Sequence, residues 1–120
     1  MYMVNRNGDF KFPSWAELER QFRESSTYPL DDIWISGEEE YPCLSVLVNG
    51  KFACVHYFLN DQGDMFQSIG YGNEDVIFET NGEKTDMPAC AIIPLDLAIE
   101  CAKQFFETNK QPTCIEWRDL

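Results

Sequence analysis

His56 is the only histidine among the 120 residues, so any imidazole-based general base in this chain must be that ring. In the register read from the sequence it faces Cys43 across a hairpin. It also lies two residues from Cys54 on the same face, which would supply a Cys/His nucleophile pair. Its neighbours Val55, Tyr57 and Phe58 fit a plainer reading, a partly buried, hydrogen-bonded ring, and surrounding carboxylates disfavour a thiolate. Gly70-Tyr71-Gly72 lacks the third glycine of a phosphate-binding loop, and Glu74-Asp75 follows where the anion would sit, so turn chemistry explains it better. Asp61-Gln62-Gly63-Asp64 offers two carboxylates without the alternating ligands or closing glutamate of a calcium loop, and reads as a surface turn. The five cysteines, Cys43, Cys54, Cys90, Cys101 and Cys114, contain no CxxC pair and no compact His/Cys cluster. That pattern argues against a disulfide framework or a zinc ribbon and for a reducing cytoplasm, with no metal and no cofactor expected.

Charge placement is more informative. Nine basic residues against 21 acidic ones leave a net charge of −12 and a pI near 4.2. Such a surface repels phosphate backbones and anionic lipid, so direct nucleic-acid or membrane binding is disfavoured and a cationic partner fits. The distribution is uneven. Residues 31 to 86 hold twelve acidic side chains and only two bases, Lys51 and Lys84, and so carry −10 of the −12. The span from Phe52 to Glu83 has no Lys or Arg, which gives a negative field able to steer a positively charged protein.

The elements that must carry these residues follow from size and pattern. A chain of 120 residues with 44% hydrophobic and 14% aromatic content fits one folded domain spanning 1–120. Its first residues lack a basic start followed by an apolar run, and no stretch approaches the roughly 18 apolar residues of a membrane span. Pro13-Ser14-Trp15-Ala16-Glu17 reads as a capping box opening a helix, with Trp15, Leu18 and Phe22 on one face. That helix should end near Ser25, since Ser26, Thr27 and the pre-proline Tyr28 disfavour continuation. Cys43–Val48 and Lys51–Leu59 flank Asn49-Gly50, which suits a two-residue type I′ turn and sets Val48 against Lys51. Leu44, Val46, Ala53, Val55 and Tyr57 then share one face, and Leu47, Phe52, Cys54 and Phe58 the other. A hairpin apolar on both faces belongs in the middle of a sheet. Met65–Ile69 reads as another strand. Val76–Thr80 and Glu83–Met87 flank Asn81-Gly82 as a charged second hairpin, expected at an edge, with Glu79 across from Lys84. A second helix starts at Pro94 and runs to about Thr108, and Cys114–Trp117 reads as a closing strand. The expected fold class is α+β, an antiparallel sheet of about five to seven strands with two packing helices.

From about Glu38 onward the order of short motifs resembles the Imm1 family of bacterial immunity proteins from polymorphic toxin systems. The matching pieces are Glu40-Tyr41-Pro42 before Leu44 and Val46, Val48-Asn49-Gly50, Val55-His56-Tyr57-Phe58, Phe66-Gln67-Ser68, Asn81-Gly82-Glu83, Pro88 and Pro94. Ala98, Ala102, Phe105-Phe106, Pro112 and Glu116-Trp117 continue the pattern. The resemblance covers some two thirds of the chain. It implies an α+β fold and a non-enzymatic role: binding and neutralising a cognate toxin domain, often a nucleic-acid deaminase. Such a toxin needs a cationic substrate channel, and carboxylates can stand in for phosphates there. On that reading Glu38, Glu39, Glu40, Asp61, Asp64, Glu74 and Asp75 meet toxin Lys or Arg side chains. Tyr41 and Tyr71 supply a desolvated anchor between them. The alternatives are a small hydrolase built on His56 with Cys43 or Cys54, and a DNA-mimicking regulator of a housekeeping protein. The sequence sets no oligomeric state.

Overall fold

Among the described residues, ten strands and two α-helices follow one another: β1 (Tyr2–Asn5), β2 (Gly8–Lys11), α1 (Trp15–Ser25), β3 (Asp31–Ser36), β4 (Cys43–Asn49), β5 (Phe52–Phe58), β6 (Met65–Ile69), β7 (Val76–Thr80), β8 (Glu83–Met87), β9 (Ile93–Pro94), α2 (Leu95–Thr108) and β10 (Glu116–Asp119). The structure is a computed structural model that describes every residue except Arg6, Asn7, Phe12, Pro13, Ser26, Tyr28, Pro29 and Asn81. Pro13, Ser26, Tyr28 and Asn81, used above as helix and turn signals, therefore lie outside the described residues.

The main sheet is antiparallel throughout, in the order β10-β6-β5-β4-β3-β1-β2, with β9 added beside β5. The fold is α+β, as expected, with more strands than expected. β1 and β2 are only four residues each, β2 has a single apolar side chain, Phe10, and β3 opens with two aspartates, so none of the three carries a strong sequence signal. β4 and β5 are buried along nearly their whole length, because each sheet face is covered. Their register corrects the expected one. Asn49 pairs with Phe52, not Val48 with Lys51, so the turn residues are Gly50 and Lys51. Gly50 supplies a φ of 60°, while neither Asn49 nor Lys51 adopts a positive φ. A glycine at the first turn position is the requirement of type II′. The shift moves each partner by two residues, so side chains keep their faces.

On one face α1 and α2 bury Leu18, Phe22, Leu95, Ala98, Ile99, Ala102 and Phe105 against Ile33, Ile35, Leu44, Val46, Val55 and Tyr57. On the other face Leu47 and Cys54 meet Phe78, Ala91 and Ile92. The β7–β8 hairpin thus forms its own two-stranded sheet lying over the main one. This corrects its expected place at an edge. Phe78 is the reason: it alternates inward from a charged ribbon and is completely buried. The register is as expected, with Glu79 opposite Lys84.

β5 shares one edge between two partners. β6 pairs with His56 through Phe58, and β9 pairs with Phe52 and Ala53. Where β6 departs, Ser68 takes over: its hydroxyl accepts from the Val55 amide at 3.1 Å and donates to the Ala91 carbonyl at 2.7 Å. The Gly70 amide then donates to the Cys90 carbonyl at 2.7 Å. The backbones come so close that a Cβ on Gly70 would lie 1.7 Å from the Ile92 oxygen, and one on Gly72 3.0 Å from the Ala89 oxygen. Neither glycine has a positive φ. The Gly70-Tyr71-Gly72 segment therefore owes its glycines to backbone packing and not to turn dihedrals, which corrects the turn reading. α2 ends with Asn109 in the left-handed conformation at φ 54°, its amide donating to the Phe105 carbonyl at 2.7 Å. β10 starts two residues later than expected and pairs with β6.

Candidate partner-binding surfaces

β4 begins opposite the end of β5, with Cys43 paired to Phe58, so the β3–β4 and β5–β6 loops emerge at the same end of the sheet. Glu38, Glu39, Glu40, Asp61 and Asp64 are all exposed there. The Tyr41–Pro42 peptide between the two strands is cis, and Tyr41 is half-buried. Partial burial, then the charges of Glu40, Cys43 and Asp61, raise the Tyr41 phenol above its ordinary value. One recess of about 490 Å³ at this end is lined by Met1, Gly37, Glu38, Glu39, Tyr41, Pro42, Phe106 and Asn109. Asn109 caps the C-terminus of α2, where the helix dipole leaves partial negative charge. Two carboxylates and a helix C-terminus thus converge on one concavity, an arrangement suited to a Lys or Arg side chain. Glu38 is partly engaged already, 3.9 Å from Lys11 Nζ and accepting from the Tyr2 hydroxyl at 3.3 Å.

Tyr71, Glu74 and Asp75 lie elsewhere. They follow β6 at the end of the sheet where β5 begins, about 20 Å away along the six residue steps of β5. The nine expected contact residues therefore form two patches. Tyr71 is 83% exposed, the most exposed large hydrophobic side chain among the described residues, and its hydroxyl donates to Glu116 Oε2 at 3.4 Å. Asp75 has one oxygen committed, Oδ1 accepting from the Ala89 amide at 3.0 Å. Tyr71 stands on the rim of an open, mainly apolar groove of about 1160 Å³. Its walls include Phe52, Ile69, Ile92, Leu97, Cys114 and Ile115, with Asp96 and Glu116 beside them. The groove exists because β6 and β9 diverge along the edge of β5. Nothing in the sequence pointed to it, since its walls come from five separated segments; only the exposed apolar positions of Tyr71 and Phe52 carried a trace.

His56 is buried, 8% exposed, and burial brings its pKa down from 6.5 to about 4. The Gln67 amide lies 3.1 Å from Nε2 and donates to it, which leaves the ring proton on Nδ1. Cys43 stands opposite Phe58 and not opposite His56, whose partner is Ser45, so the expected cross-hairpin pair is not formed. Burial also pushes the Cys43 and Cys54 thiols up to about 11, which keeps both protonated at neutral pH. Among the described residues no group of three or more His, Cys, Asp or Glu side chains is arranged to hold a metal ion. No helix among them is long and apolar enough to cross a membrane.

The family model described as immunity protein Imm1 matches residues 7–119. The chain belongs to the Imm1 family. The match takes in β2 and α1, beyond the segment from Glu38 onward that carried the resemblance. Over an alignment of 125 residues spanning the whole of both chains, this Imm1 protein is 25% identical to a double-stranded DNA deaminase immunity protein of Burkholderia cenocepacia (strain H111). Within the Imm1 chain described here, many of the motif residues behind the resemblance are structural. Pro94 precedes α2, Ser68 bridges β5 to Ala91, and Trp117 donates to the Pro112 carbonyl at 2.8 Å. Glu38, Asp64, Tyr71 and Asp75 also make hydrogen bonds within the molecule, but all four side chains are exposed.

Proposed function

We propose that this chain binds a cognate bacterial toxin domain of the nucleic-acid deaminase class and neutralises it, as one domain spanning 1–120 and without catalysis of its own. The observation that carries this reading is the end-to-end match to a deaminase immunity protein within a shared family. The charge placement supports it. A deaminase must draw in a polyanion, so its substrate channel is cationic, and the paired acidic loops present carboxylates in place of phosphates. Glu38, Glu39, Glu40, Asp61 and Asp64 form the steering end, with Tyr41 beside them. Tyr71, Glu74 and the free oxygen of Asp75 form a second contact at the groove. The toxin's nucleic acid is excluded by competition for that cationic surface and is not itself bound here. The expected setting is the cytoplasm, where such a toxin would reach nucleic acid.

Co-expression with the cognate deaminase toxin domain tests the proposal. A stable complex on size-exclusion chromatography, with deamination suppressed in proportion to bound immunity protein, is expected. Full toxin activity with this protein in molar excess, at low ionic strength, would overturn it. The hydrolase alternative has less support, because neither thiol near His56 is activated.

A further inference from the structure

α2 and the segment that follows it bring two thiols together at the wall of the groove. Cys101 Sγ lies 3.2 Å from Cys114 Sγ, and both cysteines are free. Even two carbon atoms pack best at roughly 3.5–4.0 Å, so these larger atoms are in close contact. The contact is held from both sides. Gln104 Oε1, on the same helix as Cys101, accepts from the Thr113 amide at 2.7 Å. Trp117 donates to the Pro112 carbonyl at 2.8 Å and packs against the core, which fixes the far end of the segment. Cys101 is completely buried, whereas Cys114 is half-buried and lines the groove. A small solute therefore reaches one sulfur of the pair and not the other.

We propose that Cys101 and Cys114 are a redox pair that reacts with low-molecular-weight disulfides, of the oxidised glutathione class, to form an intramolecular disulfide. In the first step the Cys114 thiol loses its proton and its sulfur attacks one sulfur of the small disulfide. That disulfide bond breaks, one small thiol leaves, and a mixed disulfide remains on Cys114. In the second step Cys101 gives up its proton and attacks Cys114 Sγ, the mixed disulfide breaks, and the second small thiol leaves. Two protein thiols are oxidised and one small disulfide is reduced to two thiols. The order of attack follows from access. Burial, then contact with Cys114 and the nearby charge of Glu100, raise the Cys101 thiol pKa, which keeps it from starting the exchange. Its 3.2 Å separation from Cys114 Sγ is what places it to resolve the mixed disulfide. The product fastens the Thr113–Glu116 wall of the groove to α2.

The test is incubation of the reduced, folded protein with excess oxidised glutathione, followed by alkylation and non-reducing peptide mapping. The expected result is a peptide cross-linked through Cys101 and Cys114, with two thiols lost together and restored by dithiothreitol. The urea midpoint of the oxidised protein should rise, because the denatured chain is then constrained. Cys101→Ser should stop at a glutathione adduct on Cys114, and Cys114→Ser should leave Cys101 free. If Cys101 and Cys114 of the unmutated protein both remain alkylatable once the denatured protein is exposed to reagent, while only the exposed Cys90 takes up glutathione, the proposal is wrong. That measurement uses the natural chain, so it stands even if a serine variant fails to fold.

Discussion

Gly70 sits with its Cα directly against the Ile92 carbonyl, so near that an added Cβ would lie 1.7 Å from the oxygen. The neighbour is backbone, pinned by the bond from the Gly70 amide to the Cys90 carbonyl. It cannot rotate away as a side chain would. Gly70→Ala should therefore cost about 3 kcal/mol, the upper range for overpacking a well-filled site. Gly63, with φ 92° and open space around it, isolates the purely conformational effect. Gly63→Ala should cost about 1 kcal/mol. Urea denaturation of both variants checks the comparison, and equal losses would show that the contact at Gly70 yields easily.

Folding should weaken in mild acid through His56. Burial lowers its folded pKa to about 4, against 6.5 in the unfolded chain, so between these values the unfolded state holds the extra proton. Stability then rises with pH across that window, is fully present above about 6.5, and is lost as pH falls toward 4. The separation corresponds to about 3 kcal/mol in order of magnitude. His56→Gln keeps a group able to meet Gln67 but has no proton to gain. Denaturation midpoints between pH 7.5 and pH 4.5 should fall less steeply for the variant; parallel curves would remove His56 as the source.

The sequence was legible where a local pattern and the tertiary result agree. The acidic helix start and the Trp15, Leu18, Phe22 stripe place α1, and the run from Leu95 to Thr108 with Asn109 beyond it places α2. The two-faced burial of β4 and β5 was readable because apolar residues fill both parities. What was not readable depends on encounters between distant segments. The β7–β8 ribbon looks like an edge until Phe78 is seen to meet Leu47 and Cys54, and the two acidic patches look continuous until the direction of β6 separates them. The groove and the Cys101–Cys114 contact have no local signature, since each arises where β5 changes partners or where the chain folds back along α2.

Phe78 makes the hairpin's attachment testable. It is fully buried against Leu47, Cys54, Ala91 and Ile92, while the exposed β8 residues Glu83 to Asp86 contribute no apolar cover. Phe78→Ala should cost about 3–5 kcal/mol, the range for emptying an aromatic site. The loss should be local in its first effects. Amide exchange in β7 and β8, and at the face of β4 beneath them, should accelerate well before exchange in the α2 core. Uniform acceleration over the whole chain would mean that the hairpin and main sheet unfold as one unit.

The two patches should contribute to toxin binding in different ways, and kinetics separates them. Glu38, Glu39 and Glu40 are exposed, so Coulomb attraction there acts at a distance and is screened by salt. Reversing all three to Lys changes the charge of that end by six units and should slow association roughly tenfold or more at low ionic strength, with less effect on dissociation. Added salt should shrink the difference between variant and parent. Tyr71 is an exposed aromatic on the groove rim, with a body to bury and a hydroxyl to pair. Tyr71→Ala should leave association and folding stability unchanged and speed dissociation by tenfold or more, the behaviour of a truncated anchor. Stopped-flow association and surface-immobilised dissociation measurements on the two variants read these rates directly. An unchanged low-salt association rate in the triple lysine variant would remove the steering role from the β3–β4 loop, and an unchanged dissociation rate in Tyr71→Ala would place the anchor away from the groove.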